Sequence, residues 1–186
     1  ATTEIYTLSL HDALPISRLE ISSAFPRGGI SMCSVVDVAD YILEKYGTMT
    51  TMKLQKLAFY SQARALVVNG TPLFDDDFEA WANGPVSPAL YALHKGRFLV
   101  HPGDLGCHGG KDASLGPGTA AAVDGACGFL STLSGNQLSQ MTHAEDPWMH
   151  ARKGCSDGDR CRTVIAKESM KDYYSLHPVW SARGGL

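Results

Sequence analysis

Between Met52 and Pro88 the chain carries a long apolar helical pattern that ends in an acidic turn, a short extended segment reaching Trp81 and an abrupt Asn83-Gly84-Pro85 corner. Leu54, Leu57, Ala58, Ser61 and Ala65 recur at helical spacing, and Phe59, Tyr60, Leu66 and Val67 widen the apolar arc beyond a single stripe. A helix this apolar has to be enclosed. Burial of Leu54, Leu57, Phe59 and Leu66 contributes roughly 1.5–3 kcal/mol each, a gain realised only when a domain wraps around the helix. The polar residues it carries, Lys53, Gln55, Lys56, Gln62 and Arg64, then either find partners inside or lie at an edge that meets something else.

The chain has 186 residues, enough for one domain with a substantial core. Its formal charge is −3 with no basic run, which argues against direct nucleic-acid binding, where neutralised phosphates supply most of the affinity. No apolar stretch approaches the roughly 20 residues that cross a bilayer, so no membrane partner is expected. The cysteines, Cys33, Cys107, Cys127, Cys155 and Cys161, are odd in number and form no C-x-x-C pair. That pattern suggests neither a disulfide framework nor a zinc site, and a reducing cytoplasm is the simplest location. Cys155, Cys161 and His150 are too loosely spaced to be favoured as metal ligands, and no cofactor is expected.

Residues 1–17 resemble the conceptual translation of a sequencing-library adapter and lack the basic n-region and cleavage site of a signal peptide. We read residues 1–31 as a non-native leader with Met32 as the native start, 32–176 as the domain and 177–186 as a frayed tail.

From Met32 onward the pattern is helical. Ser34 caps a helix in which Val35, Val38, Ala39, Ile42, Leu43 and Tyr46 share a face, with Gly47 as its stop. Thr50 or Thr51 opens the main helix, which runs to about Val68. Asp75, Asp76 and Asp77 read as a solvated turn, since a cation site needs further oxygen ligands at set offsets. Within Phe74–Trp81, Phe78-Glu79-Ala80-Trp81 supplies half of a small hairpin, and Ser87-Pro88 starts a helix that stops at Gly96. Residues 97–118 read as a long glycine-rich surface loop without a phosphate-binding signature. Further helices follow from about Thr119, around Leu138 and Met141, from Asp146-Pro147 to about Gly154, and over Lys167–Ser175. The fold class is mainly α: a single-domain helical fold with at most a small β-hairpin near Phe74–Trp81.

Ionisable groups are densest in Thr142-His143-Ala144-Glu145-Asp146. A histidine beside carboxylates is capable of acid–base work, so a small hydrolase-like enzyme using His143 and Glu145 is the alternative function. No nucleophile or second metal-ligand position accompanies it, and a helix corner pinned over Trp148 explains the same residues. Gly154-Cys155-Ser156-Asp157-Gly158 matches G-x-S-x-G formally, but a helix precedes it where a nucleophile elbow needs a strand. Lys53 and Lys56, three apart, mark either a solvated face or a partner-binding edge. No catalytic or metal residue is assigned.

Three blocks of residues converge on a family: Leu54-Gln55-Lys56-Leu57 with Tyr60 and Gln62; Glu79-Ala80-Trp81 with Gly84-Pro85-Val86, Pro88, Leu90-Tyr91 and Lys95-Gly96; and Thr142-His143, Glu145 and Pro147-Trp148. In this order they resemble the Panacea domain, the family of SocA-like antitoxins and phage-associated GepA-like proteins, over about Val35 to Tyr174. The resemblance implies a helical antitoxin domain of bacteria and their phages that neutralises a cognate toxin by direct binding, in some cases as an adaptor to a ClpXP-type protease. It implies no catalytic residues. The expected contact surface lies around the main helix and the Gly84-Pro85 corner.

Overall fold

Ser34 begins the fold as a reciprocal cap: its hydroxyl accepts from the Asp37 backbone N–H, and the Asp37 carboxylate accepts from Ser34 N–H at 2.7 Å. Helix α1 follows over Val35–Tyr46, and Gly47, at φ +78°, ends it. The computed structural model describes residues 33–106, 115–159 and 161–180. The leader assigned to residues 1–31, the glycine-rich 107–114 and the end of the tail at 181–186 lie outside the described residues.

A two-residue strand, β1 (Met49–Thr50), leads directly into α2 (Thr51–Val68), whose N-cap Thr50 accepts from Lys53 N–H at 3.2 Å. Twelve of the eighteen residues of α2 are buried, so the helix is enclosed rather than laid on a surface. It packs against α1 and against α4 (Pro117–Leu130), α5 (Gly135–His143) and α7 (Lys167–Leu176). Phe59 sits at its centre, edge-on to Tyr60, Phe78 and Tyr174 at 5.2–6.1 Å between ring centres. At Gly125 of α4 the Arg64 guanidinium occupies the space a Cβ would take.

The expected half-hairpin is present at Glu79–Trp81, and its partner strand, which the sequence alone did not place, follows at once. Strands β2 (Glu79–Trp81) and β3 (Gly84–Val86) pair antiparallel with Ala80 opposite Pro85, so the Asn-Gly-Pro corner is itself the turn and second strand. Ser87 and Pro88 then start α3 (Pro88–His94) as expected. Within the stretch read as a surface loop, Leu99–Val100 forms β4 against β1, and Val100 and Leu105 are buried. Helix α6 (Asp146–Ala151) is capped by Glu145 rather than Asp146, and the Glu145 side chain makes no cap bond because other groups hold it. Among the described residues the structure has seven helices and two two-stranded sheets, a mainly α fold, and no helix is long and apolar enough to cross a membrane.

The acidic run lies in a turn with Asp75 and Asp77 exposed, as expected, and it also makes contacts the sequence did not indicate. Asp76 accepts from Val35 N–H at 2.9 Å, while Lys167 pairs with Asp77 at 2.6 Å and donates to Asp75 O, so the run ties the starts of α1 and α7 together. Within 177–186, Trp180 lies 6.0 Å from Tyr174 and under the Arg64 guanidinium. That part of the expected frayed tail is packed.

Candidate functional site

The polar residues of α2 divide by depth. Gln62, with no exposed surface, accepts from Leu73 N–H at 2.7 Å and donates to Phe74 O at 2.8 Å, satisfying backbone groups of the segment that leaves α2. Gln55 does the same for the start of α3: its Oε1 accepts from Ser87 N–H at 2.9 Å, and its Nε2 faces Ser87 O and His94 Nε2 at 3.3 and 3.0 Å. Because a backbone N–H only donates, the amide orientation is fixed, and His94 Nε2 must be the acceptor with its proton on Nδ1. Burial holds the His94 ring below the ordinary histidine range, in keeping with a neutral imidazole. Lys53 reaches outward and donates to Ser131 O at 2.6 Å, tying α2 to the end of α4.

Lys56 is the exception to its expected position on a solvated face: it is 1% exposed. Its Nζ donates to Pro85 O at 3.0 Å, and no carboxylate lies within ion-pair distance among the described residues. Burial pushes the amine down to about 7. Gly84 explains how so long a side chain fits. It adopts φ +96°, and a Cβ there would come within 2.6 Å of both Lys56 Cε and Thr142 Oγ1. The Gly84-Pro85 corner is therefore a lid over the lysine. Thr142 is fully buried and donates to Ser139 O, and beside it the His143 ring stacks on Trp148 at 4.2 Å. Burial also lowers the His143 pKa, and its Nε2 is buried without a hydrogen-bond partner among the described residues.

Glu145 joins three elements. Its carboxylate accepts from Tyr60 of α2 at 3.0 and 3.2 Å and from Tyr174 of α7 at 2.6 Å. It is 5% exposed, and burial raises its pKa to about 7 against the opposing pull of the two hydroxyls. The tyrosines are held well above the phenol range by burial and by the adjacent carboxylate, so both remain donors. Glu145 and His143, read together as a possible acid–base pair, thus engage different partners: a tyrosine pair for one, a tryptophan face for the other.

The remaining motif residues frame the hairpin. Glu79 accepts from the Trp81 indole at 2.6 Å, Trp81 O accepts from the Trp148 indole at 3.0 Å, and Trp81 meets Tyr91 edge-on at 4.8 Å. Pro147 is buried, whereas Pro88 and Lys95 are exposed at the two ends of α3. Between the start of α2, the hairpin and α3 lies a cleft of about 380 Å³, walled by Trp81, Tyr91, Met52 and Val86 and reached by Lys56, His94 and Arg97.

Several functional neighbours gave little sign in sequence. Arg152 donates to Ala80 O, Asp159 O and Ser156 O at 2.7–3.1 Å, bracing the hairpin from behind, yet it lies in no recognisable motif. Cys155 and Cys161 form a disulfide with Cα atoms 6.0 Å apart, correcting the expectation of no disulfide. The turn after α6 brings them together, and their separation of six carries no pairing signature. A reducing compartment consequently loses the cysteine argument.

The segment at the centre of this geometry, α2 through the hairpin and α3 to β4, has known relatives. Residues 54–100 match the family described as Antitoxin SocA-like, Panacea domain, and the resemblance carried by the sequence motifs is borne out over this segment. One curated relative is Antitoxin SocA of Caulobacter vibrioides (strain NA1000 / CB15N), 40% identical over 58 residues that make up 29% of this chain and 31% of that protein. The chain thus spans about a third of the length of that relative. No solved structure matches.

Proposed function

We propose that this chain is an antitoxin that holds a cognate toxin inactive by direct protein–protein contact. The observation that carries this is the match of residues 54–100 to the SocA-like antitoxin family. Those residues form the enclosed helix, the hairpin and the lysine lid around which the described fold is built, so the match falls on the core architecture and not on a peripheral segment.

The same geometry supports binding over catalysis. Glu145 is occupied by Tyr60 and Tyr174, His143 is stacked on Trp148, and no hydrogen bond joins them among the described residues. Among the residues carried by the family motifs, Gln55, Lys56, Tyr60, Gln62, Thr142 and Glu145 are buried and shape the domain from inside, while Glu79 and Trp81 of the hairpin and Tyr91 of α3 are partly exposed.

Co-expression with the adjacent gene tests the proposal. That gene alone should arrest growth, and this chain should restore it and co-purify with the product. A harmless neighbour, or one that stays lethal, refutes the reading. Rescue that disappears in cells lacking ClpXP identifies a protease adaptor, and rescue that persists identifies direct neutralisation.

A further inference from the structure

We propose that the cleft between α2, the β2–β3 hairpin and α3 seats the protein partner, and that it takes a partner segment bearing an acidic side chain beside an aromatic or aliphatic one. This rests on the antitoxin reading and adds the surface and the chemistry that meets it.

Charge gives the first half of the specification. The chain is acidic overall, yet the cleft is lined by the cations Lys56 and Arg97, by the neutral His94 and by no Asp or Glu. Two nearby carboxylates are engaged, Glu79 by the Trp81 indole and Asp104 by Arg97 at 3.1 Å and His101, while Asp157 and Asp159 flank the lining residue Gly158 without entering the lining themselves. Arg97 keeps further donors free of that single pairing, and its side chain is 47% exposed. Lys56, immediately behind the wall, has a carbonyl but no counter-charge. An incoming carboxylate supplies the counter-charge Lys56 lacks and a second acceptor for Arg97, and the low-dielectric wall strengthens its attraction.

Apolar surface gives the second half. Trp81, Tyr91, Met52 and Val86 wall the cleft, and the apolar character continues outward. Phe98 is 77% exposed, and its carbonyl accepts from Thr51 N–H at 3.1 Å, which fixes it next to the residues of the cleft mouth. Leu99 beside it is also exposed. Exposed aromatics beside an arginine are the composition of interface centres, and a surface that runs from the cleft over Phe98 is larger than a small ligand would cover.

The test measures affinity between the purified chain and the product of the adjacent gene, with thermal melts confirming that each variant is folded. Phe98→Ala and Arg97→Glu should each weaken binding by about tenfold or more, while Arg97→Lys retains most of it. Val68→Ser, an exposed control at the other end of α2, should bind as the wild type does. If the wild type binds and all these variants bind equally well, the cleft is not the interface, and the antitoxin reading stands without it. If the wild type neither binds nor protects, the antitoxin reading fails and takes this inference with it. If native mass spectrometry finds a small anion retained by the wild type and lost on Trp81→Ala, the cleft is a small-molecule site and the docking inference is overturned.

Discussion

Glu145 should make the folded protein lose stability as pH rises through the slightly acidic range. Burial lifts its pKa from an ordinary 4.5 to about 7 in the fold. Between these values the folded state binds more protons than the unfolded chain, so stability falls with increasing pH. Below 4.5 both states are protonated and the group is neutral in its effect; above about 7 both are ionised, and the fold bears the full cost of a buried carboxylate. At about 1.4 kcal/mol per pH unit, that cost is on the order of 3 kcal/mol. Glu145→Gln keeps the volume and an acceptor for the Tyr60 and Tyr174 hydroxyls but cannot ionise. Urea unfolding of both proteins at pH 5, 6, 7 and 8 isolates the effect, since other titrating groups cancel in the difference. The variant should gain about 3 kcal/mol relative to wild type across this range. Parallel profiles would refute the claim that burial, and not the tyrosine hydrogen bonds, governs this carboxylate.

Lys56 gives the opposite slope. Its amine is held at about 7 against an ordinary 10.5, so the unfolded chain binds more protons in that window and stability rises with pH. The advantage of Lys56→Met over wild type should shrink by on the order of 3 kcal/mol between pH 7 and 9.5, read from denaturation midpoints. Gly84→Ala should be destabilising by more than about 1–3 kcal/mol, because φ +96° is strained for alanine and the new methyl meets Lys56 and Thr142; a melting temperature near wild type would contradict the lid. Gln62→Ala strands Leu73 N–H and Phe74 O in the interior, at about 1–3 kcal/mol for each unsatisfied group, and should hasten hydrogen exchange at Leu73.

Helix positions were legible because capping and apolar spacing are local. Ser34 with Asp37, Gly47, and Ser87 followed by Pro88 each act within a few residues, and the observed α1, α2 and α3 begin and end close to where those residues indicate. The second strand of the hairpin went unplaced because Gly84-Pro85 has the composition of a break, and only cross-strand pairing with Trp81 and Ala80 makes it a strand. Strand β4 was missed for a related reason: two residues carry no period, and their partner β1 lies some fifty positions earlier.

The sequence by itself determined that the protein is mainly helical, that α2 must be enclosed, and which family its motifs resemble, since these depend on residue type and short-range spacing. Tertiary structure alone decided the fate of each polar group. Lys56 and Lys53 look alike on a helical wheel, yet one is sealed beneath Gly84 while the other reaches the end of α4. His143 and Glu145 sit two apart in sequence but face Trp148 and a tyrosine pair. Arg97 and Phe98, in a stretch read as loop, stand at the mouth of the cleft because Phe98 O is bonded to the start of α2. Desolvation, counter-charge and hydrogen bonding act through space, and residues far apart along the chain supply them.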